Sequence, residues 1–88
     1  MSTALLTLIG KPGCHLCDVA RDVVSEVVAG LGSEASAPTV TVQELSILED
    51  AELLQQYSEQ IPVLLLNGRV QNIWRVDAER LRTALLEV

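Results

Sequence analysis

The apolar period of the chain changes once, sharply, near its start, and this change restricts the fold more than any other feature. Leu5-Leu6-Thr7-Leu8-Ile9 is a short, almost continuous apolar run halted by Gly10, Pro12 and Gly13. From Cys14 onward the apolar residues recur in steps of three and four: Leu16, Val19, Ala20, Val23, Val24, Val27, Val28 and Leu31. A buried strand, a loop and a long helix with one wide apolar face follow from that pattern. Valine is a mediocre helix former, but a period sustained this long outweighs propensity. Asp18, Asp22 and Glu26 take the solvent side, and Gly30 and Gly32 mark the end.

The remainder supplies what this strand and helix need for burial. After a small-residue loop, Ser33 to Pro38, the segment Thr39 to Glu44 alternates, with Val40 and Val42 on one face. Ser46 and Glu49 have capping-box spacing ahead of Leu48, Ala51, Leu54 and Tyr57, which predicts a short second helix. Pro62 opens Val63-Leu64-Leu65-Leu66, a strand apolar on both faces. Asn67-Gly68 is a strong hairpin signal, because both turn positions need a positive φ. Arg69 to Trp74 forms the returning strand. Asp77 is placed to cap a last helix whose buried side carries Ala78, Leu81, Ala84, Leu85 and Val88. Leu48, Leu54, Trp74 and the valine stripe are expected in the core.

The order strand, helix, strand, helix, strand, strand, helix implies a parallel first pair of strands with a right-handed crossover, then an antiparallel hairpin. The expected architecture is α/β: a four-stranded mixed sheet with helices on both faces, in a single domain spanning residues 1–88. Composition excludes several functions. Lys and Arg number 6 against 12 Asp and Glu, for a formal charge of -6. Nucleic acid is excluded as a partner, since its main affinity term needs clustered cations. Only Trp74 and Tyr57 could stack on bases. An anionic membrane surface repels such a chain, and no apolar run approaches the roughly 20 residues of a membrane span. Met1 to Gly10 lacks the basic start and small-residue cleavage pattern of a signal peptide, so the expected location is the cytoplasm.

The chemistry is concentrated at Cys14-His15-Leu16-Cys17, where the first strand has ended and the helix begins. Unpaired backbone N–H groups and the positive end of the helix dipole favour the anionic form of a thiol at that point. Cys17, one turn deeper on the same side, is placed to attack a mixed disulfide formed on Cys14. A loop this short constrains little of the unfolded chain if closed, so the pair reads as reactive rather than structural. His15, the only histidine, would stabilise the thiolate when charged, and Arg21 is a second candidate for such tuning. Lys11, near the thiolate, is a candidate for holding a substrate carboxylate. A rival reading makes the pair a metal or iron–sulfur anchor in a non-catalytic binding module. Closed structural zinc, however, needs four convergent ligands, and neighbours in one helical turn do not all converge.

Lys11-Pro12-Gly13-Cys14-His15-Leu16-Cys17, with Ala20-Arg21 behind it, resembles the active-site segment of glutaredoxins within the thioredoxin fold. Glu44-Leu45-Ser46, leading toward Tyr57, is similar to the second strand and helix of that family. Ile61-Pro62-Val63 resembles its cis-proline segment, and Leu66-Asn67-Gly68-Arg69 its hairpin. The Cys-His-Leu-Cys motif is similar to that of small bacterial glutaredoxin-like proteins. The resemblance runs from Leu5 to Leu86. It implies a thiol–disulfide oxidoreductase with Cys14 as nucleophile, Cys17 as resolving thiol, and Lys11, Ile61 and Pro62 binding substrate. Taken alone, Pro62 at a strand start would be an ordinary trans proline; the resemblance implies cis. It also implies no bound cofactor and no metal, with glutathione as a co-substrate. The partner is then a disulfide-containing protein or a small thiol, and the protein a monomer. His15-Leu16 stands where the family has Pro-Tyr, Gln60 where it has Thr, and Arg75-Val76 where it has Gly-Gly. These departures predict weak glutathione use, with Asp77 as the remaining acid for the amino end of glutathione.

Overall fold

A computed structural model describes residues 2–88. The elements are β1 (Thr3–Gly10), α1 (His15–Leu31), β2 (Thr39–Ser46), α2 (Ala51–Tyr57), β3 (Val63–Leu66), β4 (Arg69–Ile73) and α3 (Ala78–Leu86). The strands form one sheet in the order β2-β1-β3-β4. β1 runs parallel to β2 in a register from Thr3↔Thr39 to Gly10↔Ser46, and antiparallel to β3 from Leu6↔Leu66 to Ile9↔Val63. β3 and β4 pair antiparallel through the Asn67-Gly68 turn, with a bulge between Leu64 and Leu65. Both turn residues have a positive φ, 51° and 85°. The turn also clasps the central strand: Leu5 N–H donates to Asn67 Oδ1, and Asn67 N–H to the Leu5 carbonyl, each at 2.8 Å. Among the described residues no helix is long and apolar enough to cross a membrane.

Alternation along β1 divides the core in two. Ala4, Leu6 and Leu8 point with Leu64 toward α1 and α3, where Ala20, Val24, Val27, Leu31, Leu81 and Leu85 meet them. Ile9 and Val63 point the other way, onto Ile47 and the α2 residues Leu53 and Tyr57. Helices thus cover both faces, as the element order predicts. Each fully buried leucine contributes about 1.5–3 kcal/mol of apolar transfer, and the fully buried core is aliphatic, with Tyr57 packed at its edge. Thr7, buried among these, keeps its hydroxyl satisfied by the Gln43 side-chain amide at 3.0 Å.

Several inward assignments are corrected. On α1 the buried stripe is Cys17, Ala20, Val24, Val27 and Leu31, so Leu16 and Val19 face solvent. The apolar residues fill more of this helix than the sheet can cover. α2 begins at Asp50, whose side chain accepts from the amides of Glu52 and Leu53. Ser46 Oγ accepts from the Leu48 amide in a local turn instead of capping the helix. In this helix Leu53 packs inward beside Tyr57, which the sequence also puts on the apolar side, while Leu48, 65% exposed, Ala51 and Leu54 stay outside. On α3, Asp77 Oδ1 accepts from Arg80 N–H at 3.0 Å, as a cap should; Leu81 and Leu85 are buried, but Ala78 and Val88 are not. Trp74 lies beyond β4 and is 57% exposed.

Candidate active site

Three segments converge at one end of the central strand. β1 ends at Gly10, and the loop through Lys11, Pro12 and Gly13 delivers Cys14 to the helix start. Gly13 has φ +75°, a conformation that favours glycine and lets the chain turn into α1. β3 begins beside the end of β1: after the pair Ile9↔Val63, the next positions on the two segments are Gly10 and Pro62. The Ile61–Pro62 peptide bond is cis.

Cys14 is the N-cap of α1. Its backbone is extended, with φ -96° and ψ 113°, and its carbonyl accepts the first helical bond from Asp18 N–H at 3.1 Å. Its sulfur accepts the Cys17 N–H at 3.2 Å, filling the place of a serine or aspartate oxygen in an ordinary cap. Cys14 is half-buried; Cys17 is only 2% exposed, and both are free thiols. Of the two thiols, Cys14 is therefore the more accessible from solvent. Burial first, and a hydrogen bond to the Cys14 side chain second, push the Cys17 thiol up to about 11. A hydrogen bond from the Lys11 backbone opposes this, while the charges of Cys14 and Asp18 add to it. Cys17 thus holds its proton until it is needed.

Gly10 makes this arrangement possible. A Cβ on Gly10 would lie 2.8 Å from Cys17 Sγ and 3.2 Å from Cys17 Cβ. The strand end is bare so that the buried sulfur can seat against it. From the sequence Gly10 reads only as a strand stop; a glycine directly before a CxxC loop is the signal that could have revealed the contact.

A cleft of about 320 Å³ opens on the β2 side of the strand end, bordered by Lys11, Pro12, Cys17, Arg21, Glu44 and Glu49 among others. Lys11, Cys17 and Arg21 come together there, whereas Ile61 and Pro62 stand on the β3 side of β1. Arg21 does not offer a free cation. Its guanidinium is shared between Asp18, at 2.8 Å, and Glu44, and these carboxylates raise the Arg21 pKa. His15 is exposed in the first turn of α1. Among the described residues, no group of three or more His, Cys, Asp or Glu gathers to hold a metal ion.

Trp74 is the residue whose place sequence reasoning missed. Its φ is 68°, and Arg75 N–H donates to the Ile73 carbonyl across it at 2.8 Å, forming a tight γ-turn. This conformation is rare and strained, at about 1–3 kcal/mol for such a backbone. Two bonds hold it: Trp74 N–H donates to the Pro62 carbonyl at 2.8 Å, and the indole N–H to the Glu59 carbonyl at 3.1 Å.

Residues 5–86 match the family described as Glutaredoxin-like domain (DUF836). An uncharacterized protein of Mycobacterium tuberculosis, Rv0508, is 29% identical over 82 residues, covering 93% of this chain and 82% of its own length. Protein XcR50 from X. campestris, a structural genomics target, superposes with a TM-score of 0.70 at 33% identity, over 94% of this chain and 97% of its own. Mitochondrial thioredoxin 3 from Saccharomyces cerevisiae, in its oxidized form, superposes with a TM-score of 0.65 over 100% of this chain and 81% of its own; at 10% identity that is a likeness of fold alone. With two cysteines three positions apart at the head of α1, a thioredoxin-like sheet and a family match over nearly its whole length, the chain belongs to the glutaredoxin-like (DUF836) family of the thioredoxin fold.

Proposed function

We propose that the protein is a thiol–disulfide oxidoreductase in which Cys14 is the nucleophile and Cys17 the resolving thiol. The observation that carries this reading is the asymmetry of the pair. Cys14 sulfur sits at a helix N-terminus and accepts an amide N–H, while Cys17 is buried and keeps its proton. Family membership supports the same chemistry. The Cys14 thiolate attacks one sulfur of a substrate disulfide, breaking the S–S bond and releasing the other sulfur as a thiolate. Cys17 then loses its proton and attacks Cys14 Sγ, releasing the second substrate thiol. Two electrons pass from the dithiol to the substrate, and an external thiol or dithiol reductant restores Cys14 and Cys17. Substrate binding is assigned to Ile61 and Pro62 at the start of β3, through the peptide backbone because the Pro62 side chain is buried, and to the exposed Lys11. No resident metal or cofactor enters this cycle. Glutathione serves as a weak co-substrate, because Asp77, the acid left for its amino end, is engaged in capping α3.

The test is reduction of a disulfide-bonded protein by the wild-type chain supplied with dithiothreitol, alongside Cys14→Ser and Cys17→Ser. Cys14→Ser should be inactive, and reduced Cys17→Ser, mixed with the substrate after dithiothreitol is removed, should accumulate a mixed disulfide at Cys14 visible by intact mass. Activity retained in Cys14→Ser would overturn the reading. The reduction potential of the pair, measured against glutathione and a thioredoxin-type reductase, identifies the reductant.

A further inference from the structure

We infer that Trp74 is a substrate-contacting residue of the Cys14 site, and that it selects disulfides carried on an extended polypeptide with an apolar side chain beside the reacting cysteine. This rests on the thiol–disulfide reading above and specifies its substrate class. Trp74 is the single tryptophan of a chain with only 2% aromatic residues, yet it is excluded from both hydrophobic clusters. It occupies a strained γ-turn at the end of β4, with 57% of its surface in water. A large aromatic left out of the core clusters, on a backbone that disfavours any side chain, is not explained by core packing. Strain of this kind is found where a ligand is clamped.

Its bonds tie it to the site. The Trp74 amide donates to the carbonyl of Pro62, the residue just before Val63, which pairs with Ile9 at the end of the central strand. The indole N–H is already taken by Glu59, so what the ring presents to water is hydrocarbon. Because both bonds hold it in place, a ligand stacking on the ring has little freedom to remove, which favours binding. A second apolar side chain, Leu16, 40% exposed, stands in the first turn of α1 two residues from Cys14. Apolar surface at the mouth of a reactive thiol suits an apolar peptide side chain. It offers nothing to the charged ends of glutathione. Asp77, three residues beyond Trp74, is held in its helix cap.

Trp74 reports on its own role, since it supplies the only indole emission. The probe disulfides are a synthetic pentapeptide with a central cysteine flanked by leucines, activated as its thionitrobenzoate, and the corresponding glutathione derivative. Each is reacted with the Cys17→Ser protein to trap the mixed disulfide on Cys14. The peptide adduct should shift Trp74 emission to the blue and reduce its quenching by acrylamide at least twofold relative to the glutathione adduct. The ratio of peptide to glutathione reaction rates should fall about tenfold in Trp74→Gly, as for loss of an aromatic anchor. Glycine suits the positive φ, so this variant keeps the turn, and Trp74→Phe should restore much of the ratio. Equal reaction of both probes with unmoved emission, or an unchanged ratio in Trp74→Gly, would overturn the assignment of Trp74 while leaving the chemistry intact. No reaction of Cys14 with either probe would overturn the exchange reading and this inference together.

Discussion

The backbone amide of Cys17 donates to the sulfur of Cys14 at 3.2 Å, so one hydrogen bond both caps α1 and ties the Cys14 thiol to the backbone of Cys17. The same pair is chemically unequal: Cys14 lies at the mouth, and Cys17 is sealed beneath it against Gly10. Their inequality is measurable without knowledge of the substrate.

Alkylation should be strongly ordered. With the Cys17 thiol held up to about 11, only on the order of one molecule in ten thousand carries it as thiolate at neutral pH. Limiting iodoacetamide should therefore label Cys14 almost exclusively, as read by peptide mass mapping. Cys17 labelling in Cys14→Ser should climb about tenfold per pH unit on the alkaline side. Labelling of Cys17 ahead of Cys14 in the wild-type chain would reverse the roles.

Reduced protein should lose stability at alkaline pH in a defined window. The folded Cys17 thiol is raised to about 11 from an ordinary value of 9.0, so between these values the unfolded chain gives up a proton that the folded chain keeps. Stability from this group is complete below pH 9 and falls as the pH rises to 11, by about 2–3 kcal/mol in all. Urea unfolding of the reduced wild type, set against Cys17→Ser at both pH values, isolates the effect, because serine has no proton to lose there. Parallel losses in the two proteins would show that Cys17 is not the source.

Gly10→Ala should damage both stability and turnover. The new methyl would lie 2.8 Å from Cys17 Sγ, closer than carbon and sulfur pack, and the neighbour is a buried side chain with little room. Overpacking of this kind costs about 1–3 kcal/mol. Displacing the Cys17 sulfur should also slow its attack on Cys14, so that the mixed disulfide persists in a stopped assay. Wild-type stability with prompt resolution would show that the strand end can yield.

The cap of α3 separates two roles of Asp77. Asp77→Ala should lower unfolding stability by about 1 kcal/mol, while Asp77→Asn, an equivalent capping residue, should stay within a few tenths. If both variants react with glutathione disulfide at the wild-type rate, Asp77 is a cap and nothing more. A rate drop in Asp77→Asn as large as in Asp77→Ala would instead assign its charge to the substrate.

Local patterning carried most of the architecture. The switch from a continuous apolar run to steps of three and four placed β1 and α1. Asn67-Gly68 set the hairpin through backbone sterics, and Asp77 marked the start of α3. The cysteine pair was legible for the same reason: its meaning depends on a strand ending and a helix beginning, and both are encoded within a few residues. Which apolar residues are buried was decided by tertiary structure. α1 and α2 each carry more apolar positions than their neighbours can cover, and only the packed register chooses Cys17 over Leu16, or Leu53 over Leu54. The pairing of Arg21 with Glu44, 23 residues away, brings together the crossover helix α1 and the strand β2 that follows it. The seat of Cys17 on Gly10 and the bond from Trp74 to Pro62 arise in the same way. Such relations depend on atoms distant in sequence that meet only once the sheet has formed. A local pattern therefore specifies the elements, and the close approach of those elements specifies the chemistry at their ends.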